Sequence, residues 1–152
     1  RRSLGAVLVT AYTGVAAAPF GGPTLLSLVA LGLKDKAKKF VREANEAQCE
    51  ARRAKFRQEC GFEISDIGGI VIDEVSFIEL GVFGHFENEM RNLVGPQGAN
   101  LLCGGIPLLL CGDCHQKAPP GTVFLSTCSL TLEGLKPHWD MSMGWYKNNV
   151  KG

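Results

Sequence analysis

Gly69-Ile70-Val71-Ile72-Asp73-Glu74 sets the architecture expected of the chain. An apolar run without alternation reads as a strand buried on both faces, the kind that parallel sheets contain. Closing it with Asp-Glu carries two carboxylates to the rim of the sheet, where open parallel sheets bind ligands. The first carboxylate can hold Mg²⁺ through oxygen ligation, and the second can orient or deprotonate a water. This is the Walker B arrangement. An apolar run followed by Asp-Glu also arises by chance in α/β proteins, so the motif is weighed with its surroundings.

Outward from that run the pattern alternates. Ala6–Ala11 reads as a buried strand, and Thr24–Leu33 as a short apolar helix after the Gly21-Gly22-Pro23 turn. Lys34–Glu59 reads as one long polar helix ending at Gly61 in the manner of a glycine C-cap. After the Ile67–Asp73 strand, residues Val82, Phe83, Phe86, Met90 and Leu93 recur at helical spacing within Leu80–Leu93. Ile106–Gly112 supplies a third strand. Strand, helix, strand, helix, strand implies parallel crossovers and a sheet covered on both faces. From Val123 onward no period is sustained, and residues 123–152 are set apart as a C-terminal extension of uncertain role.

Composition sets bounds. The 152 residues suffice for one domain with a core, and the net charge of +1 gives no global basic signal for nucleic acid. The 19 glycines suit many tight exits from strands. The six cysteines read as reduced thiols of an intracellular protein, since no cleavable secretory segment precedes them. Arg2 to Lys34 is free of internal charge, but Gly14, Pro19, Gly21, Gly22 and Pro23 divide it, so no membrane span is expected.

The three strand exits carry the argument further. They read Thr10-Ala11-Tyr12-Thr13-Gly14, Asp73-Glu74-Val75-Ser76 and Gly112-Asp113-Cys114-His115-Gln116. Each offers hydroxyls, carboxylates or an amide beside a glycine or a small residue. Parallel strands would bring all three to one edge, where a ligand crevice forms.

In order along the chain, Val9-Thr10-Ala11-Tyr12-Thr13-Gly14-Val15-Ala16-Ala17, Gly22-Pro23-Thr24, Val71-Ile72-Asp73-Glu74-Val75-Ser76 and Gly104–Gln116 resemble the central motifs of the PIF-type DNA helicases. These are relatives of bacterial RecD and of Helitron helicases, within helicase superfamily one. The resemblance spans about Val7 to Pro120. It implies an α/β, three-layer P-loop NTPase (RecA-like) fold with a parallel sheet, truncated at the N-terminus, in which residues 1–122 form part of the motor domain.

The roles that the resemblance implies are specific. Thr10, Thr13, Gly14 and Thr24 would contact single-stranded DNA, with Gly14 letting a phosphate approach the backbone. Asp73 would hold Mg²⁺, Glu74 would activate the attacking water, and Gln116 would sense the γ-phosphate of ATP. Gly112, Asp113 and Ser76 would support the nucleotide loops. The implied activity is ATP hydrolysis coupled to movement along single-stranded and forked DNA, in the nucleus or the mitochondrion. A second RecA-like domain would complete the motor.

The sequence also departs from the family. No Gly-x-x-x-x-Gly-Lys-Ser/Thr loop occurs in it, so the chain alone is expected to be inactive as an ATPase. Tyr12 replaces a usual Pro, Leu26 a frequent His, Phe77 a usual Met, and Lys117-Ala118 a usual Leu-Pro. A non-catalytic remnant that only binds nucleic acid is the alternative reading.

Other patterns compete less well. Cys111-Gly112-Asp113-Cys114-His115 fits the Cys-x-x-Cys-His haem attachment pattern and metal-site spacing, but it lacks a second Cys-x-x-Cys pair. Lys34–Glu59 carries nine basic and five acidic residues. That composition suits a solvated helix laced with i,i+4 pairs better than a DNA-facing stripe. His85 reads as a partly exposed or hydrogen-bonded helix residue, and His138, Trp139 and Trp145 as residues of the extension.

Overall fold

The computed structural model describes residues 5–30 and 45–113. Three strands, β1 (Ala6–Ala11), β2 (Ile67–Asp73) and β3 (Leu108–Leu110), form a parallel sheet in the order β1-β2-β3. Ala11 pairs with Asp73, and Ile72 with Leu110, so the carboxyl ends of the strands are aligned. Four helices accompany them: α1 (Gly14–Ala17), α2 (Leu25–Ala30), α3 (Glu46–Cys60) and α4 (Leu80–Val94).

The side-chain alternation of the strands sorts the sheet into two faces. Leu8, Thr10, Ile70 and Ile72 point into the core, where Leu25, Leu28, Phe83, Phe86 and Met90 of α2 and α4 meet the sheet residues. On the other face Val7 and Leu109 are exposed, and Val9 and Val71 half-buried. The expected covering of both faces is therefore met on one face only among the described residues. The third helix, α3, does not fill the other side. It packs outside α4, through Phe56 and through an ion pair between Arg52 Nη1 and Glu89 Oε2 at 3.0 Å.

The expected helix over Lys34–Glu59 is interrupted. Asn45 has an extended backbone (φ −71°, ψ 166°) and caps a helix that starts at Glu46. Its side chain accepts from Gln48 N at 2.9 Å, while Gln48 Oε1 accepts from Asn45 N at 3.1 Å. This reciprocal capping box satisfies two amides that a helix start leaves without partners. Residues 31–44 lie outside the described residues. At the other end Gly61 takes the left-handed conformation (φ 80°) and its N–H returns to Arg57 O, as expected of a C-cap.

Helix α4 is buried from Val82 to Met90 without a break, polar residues included. His85 is buried rather than partly exposed. Glu89 is held by Arg52. Glu87 is held by Arg91 at 2.8 Å and accepts from Cys103 N at 3.3 Å. Such pairing is what permits carboxylates inside a core. Cys49, Cys60, Cys103 and Cys111 form no disulfide with one another. No helix among the described residues is long and apolar enough to cross a membrane.

Candidate active site

The site forms where the register brings strand ends together. Ala11 stands beside Asp73, so two residues past β1 and one past β2 the chain places Thr13 against Glu74. Thr13 Oγ1 donates to Glu74 Oε2 at 2.8 Å, and Thr13 N approaches the same oxygen at 3.4 Å. The Thr13 hydroxyl also accepts from Ala16 N at 3.3 Å, capping α1.

Glu74 sits on a sharp turn. Its φ of 58° is the left-handed region, uncommon for a residue with a Cβ. Local bonds fix it there: Glu74 N donates to Asp73 Oδ1 at 2.8 Å, and Val75 N donates to Cys111 O at 3.1 Å. Cys111 N in turn donates to Ile72 O at 2.8 Å, so the segment after β3 is tied to the end of β2. Gly112 closes this contact. A Cβ there would lie 2.9 Å from Val75 N, too near for any other residue.

The described residues leave Asp73 and Glu74 without an ion pair. Asp73 is half-buried, and its second oxygen accepts no hydrogen bond from any described residue. Ser76 is buried, and its hydroxyl has no hydrogen-bond partner among the described residues. These are hard oxygen donors on a single turn. Mg²⁺ takes one or two carboxylates together with phosphate oxygens and water, so the donor set fits that ion. No closed cage of three or more His, Cys, Asp or Glu side chains exists among the described residues.

The residues expected to face DNA divide into two groups. Thr13 and Gly14 are exposed, and a Cβ on Gly14 would meet nothing within 4 Å. Its φ is not positive either, so the fold does not itself require glycine at that position. Thr10, by contrast, is fully buried, and its hydroxyl donates to Pro23 O at 2.8 Å. A hydroxyl so placed braces the turn and does not reach a ligand. Thr24 forms a β-bridge with Ala11 and starts α2, its Oγ1 accepting from Ser27 N at 3.1 Å and its carbonyl from Ser27 Oγ at 2.8 Å. Tyr12 packs on the core, and burial and the nearby Glu79 push its phenol up.

Asp113 is exposed and ends the described chain. Gln116, Cys114 and His115 lie outside the described residues, as do His138, Trp139 and Trp145. The Thr13–Glu74 pairing was missed in the sequence. The two residues are 61 positions apart, and no local signal links them.

A cleft of about 620 Å³ opens elsewhere, lined by Arg53, Glu63, Ile67, Leu93, Gln97 and Pro107 among others. Ile67 begins β2 and Pro107 precedes β3, so this cleft lies at the amino end of the strands, opposite Asp73. It shares no residue with the edge described above.

Comparison with known proteins bears on this geometry. The family model described as PIF1-like helicase matches residues 1–122. The ATP-dependent DNA helicase PIF1 of Homo sapiens is 35% identical over 114 residues, which are 74% of this chain and 15% of that protein. The Saccharomyces cerevisiae (strain YJM789) protein of the same name is 31% identical over 114 residues, 74% of this chain and 12% of that one. The chain thus spans a small part of the length of these relatives. Among solved structures, the Pif1 helicase from Bacteroides in complex with ADP-AlF3 and ssDNA superposes with a TM-score of 0.53 at 21% identity. That match covers 92% of this chain and 28% of the other. It establishes a shared fold.

Proposed function

The chain belongs to the PIF1-like helicase family, and we propose that its residues 5–113 form the edge of a motor domain at which ATP hydrolysis is coupled to single-stranded DNA. The observation that carries the proposal is the junction of Thr13 with Glu74 at 2.8 Å. It joins the segment assigned to DNA to the segment assigned to hydrolysis. Asp73, Glu74, Ser76, Gly112 and Asp113 form the nucleotide side. Thr13, Gly14 and Thr24 form the DNA side, with Thr10 acting from within as a brace.

In this reading Glu74 orients a water for in-line attack on the γ-phosphorus and takes the proton that the water loses. The bond from phosphorus to the bridging oxygen breaks as the new one forms, and ADP leaves. Asp73, with Ser76 nearby, would hold Mg²⁺, which when bound neutralises charge on the phosphate oxygens. The turn at Glu74 fixes the backbone so that the carboxylate projects from the strand end. Gln116 is assigned the γ-phosphate contact. Forked DNA and a second RecA-like domain belong to the same proposal.

No Gly-x-x-x-x-Gly-Lys-Ser/Thr loop occurs in these 152 residues, and a triphosphate needs such backbone amides and lysine. The chain by itself is therefore proposed to bind DNA without turning over ATP, which is the sense in which the non-catalytic reading applies. The test joins residues 1–152 behind a phosphate loop and measures ATP hydrolysis with and without oligo(dT), with the unextended chain beside it. Hydrolysis that needs the loop and rises with oligo(dT) is the expected result. Equal turnover by the unextended chain, or hydrolysis indifferent to DNA, would overturn the proposal.

A further inference from the structure

We propose that Thr13 is a gate on Glu74, holding its carboxylate until single-stranded DNA claims the Thr13 donors. This deepens the function proposed above and rests on it.

A threonine hydroxyl carries a single O–H. Here it is given to Glu74 Oε2 at 2.8 Å, and the backbone N–H of Thr13 is aimed at the same oxygen at 3.4 Å. Both donors of Thr13 therefore serve one carboxylate oxygen. The acceptor side of the hydroxyl is engaged as well, by Ala16 N at 3.3 Å. The hydroxyl is thus oriented from α1 toward Glu74.

A DNA phosphate arriving at Thr13 is a second anion seeking the same two donors. One O–H cannot serve both, and two anions at one donor repel each other. Access favours the newcomer. Thr13 and Gly14 are exposed, and no atom outside the immediate chain lies within 4 Å of where a Gly14 Cβ would be. When the phosphate takes the Thr13 donors, the Glu74 carboxylate loses both hydrogen bonds that hold it among the described residues and turns free.

The backbone need not move for this. Glu74 N stays on Asp73 Oδ1 and Val75 N on Cys111 O, so the turn that aims Glu74 is held by bonds that do not involve Thr13. Only side-chain torsions change. Reciprocity follows: whatever draws Glu74 toward a nucleotide-bound water frees Thr13 for DNA, so each ligand favours the other by the same factor.

Two experiments test the gate. In the first, the 152-residue chain carries ¹³C-labelled glutamate carboxylates and ¹⁵N amides and is titrated with oligo(dT), the Glu74 resonance being assigned by its loss in Glu74→Gln. Movement of the Thr13 and Gly14 amides together with the Glu74 carboxylate, at one binding isotherm, is expected. Amides that move while the Glu74 carboxylate stays would overturn the gate and leave the DNA reading intact. Amides that do not move would remove both.

The second experiment compares Thr13→Val and Thr13→Ser in an ATP-hydrolysing protein that carries these residues. Loss of one hydrogen bond to a charged group is expected to raise DNA-free hydrolysis by roughly tenfold in Thr13→Val and to shrink the stimulation by DNA accordingly. Thr13→Ser keeps the hydroxyl and should keep the stimulation. A Thr13→Val variant slowed equally with and without DNA would make Thr13 a mere support, contrary to the proposal.

Discussion

Thr13 Oγ1 and Glu74 Oε2 are joined by a 2.8 Å hydrogen bond that spans 61 positions of the chain. It follows from the parallel pairing of Ala11 with Asp73, which sets the exits of β1 and β2 side by side. Two loops that could have diverged are thereby tied beside Asp73 and Glu74. The same edge is secured from the β3 side, where Cys111 N donates to Ile72 O and Cys111 O accepts from Val75 N.

Gly14 and Gly112 are glycines for different reasons. Gly14→Ala meets open space and begins a helix, so stability should hold or rise by up to about 1 kcal/mol, while affinity for oligo(dT) falls because the approach is narrowed. Gly112→Ala pushes a Cβ against Val75 N and should cost about 1–3 kcal/mol. Urea midpoints and anisotropy titrations of the two variants check this. Equal loss of stability in both would contradict it.

The buried pair between Arg52 and Glu89 is expected to hold α3 on α4 at 3.0 Å. Arg52→Met leaves the carboxylate inside the core without its guanidinium and should destabilise by about 3–5 kcal/mol. Adding Glu89→Leu to that variant should recover most of the loss, because an apolar pair needs no such compensation. A double variant whose loss equals the sum of the two single losses would show that the two residues act independently.

Opposing protonation events shape stability in the acid range, and mutation can separate them. Burial raises Glu89 to about 7 against the opposing pull of Arg52, and burial lowers His85 to about 4. Between the ordinary carboxylate value of 4.5 and about 7 the folded chain keeps the Glu89 proton, so stability falls as pH rises. From about 4 up to 6.5 the unfolded chain binds a proton that the buried His85 refuses, so stability rises with pH. The two slopes oppose each other, each at most about 1.4 kcal/mol per pH unit. Glu79 and Glu87, also raised by burial, add to the falling side. His85→Asn removes the rising contribution, so its denaturation midpoint should drop more steeply from about pH 5 to about pH 7 than that of the parent. Parallel pH profiles would refute this.

Much of the scaffold was legible in the sequence. The strands Ala6–Ala11 and Ile67–Asp73 were read with the bounds that the structure gives, because unbroken apolar runs flanked by glycine or charge admit few alternatives. The apolar stripe of α4 was equally plain. Its second face was not, since His85, Glu87 and Glu89 look like a solvent side until Arg52, 37 positions away, is seen to meet Glu89, and Arg91 and Cys103 N to meet Glu87. Asn45 was passed over as one polar residue among many, yet its capping box starts α3. Thr10 and Thr13 are the same residue type three positions apart, and only the end of β1 at Ala11 separates the one that braces the core from the one that caps α1 and faces outward.

If the close of β2 is a hydrolytic edge, Glu74→Gln is the decisive variant. In an ATP-hydrolysing protein carrying these residues, single-turnover hydrolysis and nucleotide affinity are measured side by side, with and without oligo(dT). The account predicts that hydrolysis is lost while nucleotide still binds, because the amide fills the same space but cannot take the proton of the water. Hydrolysis at the parent rate would contradict it.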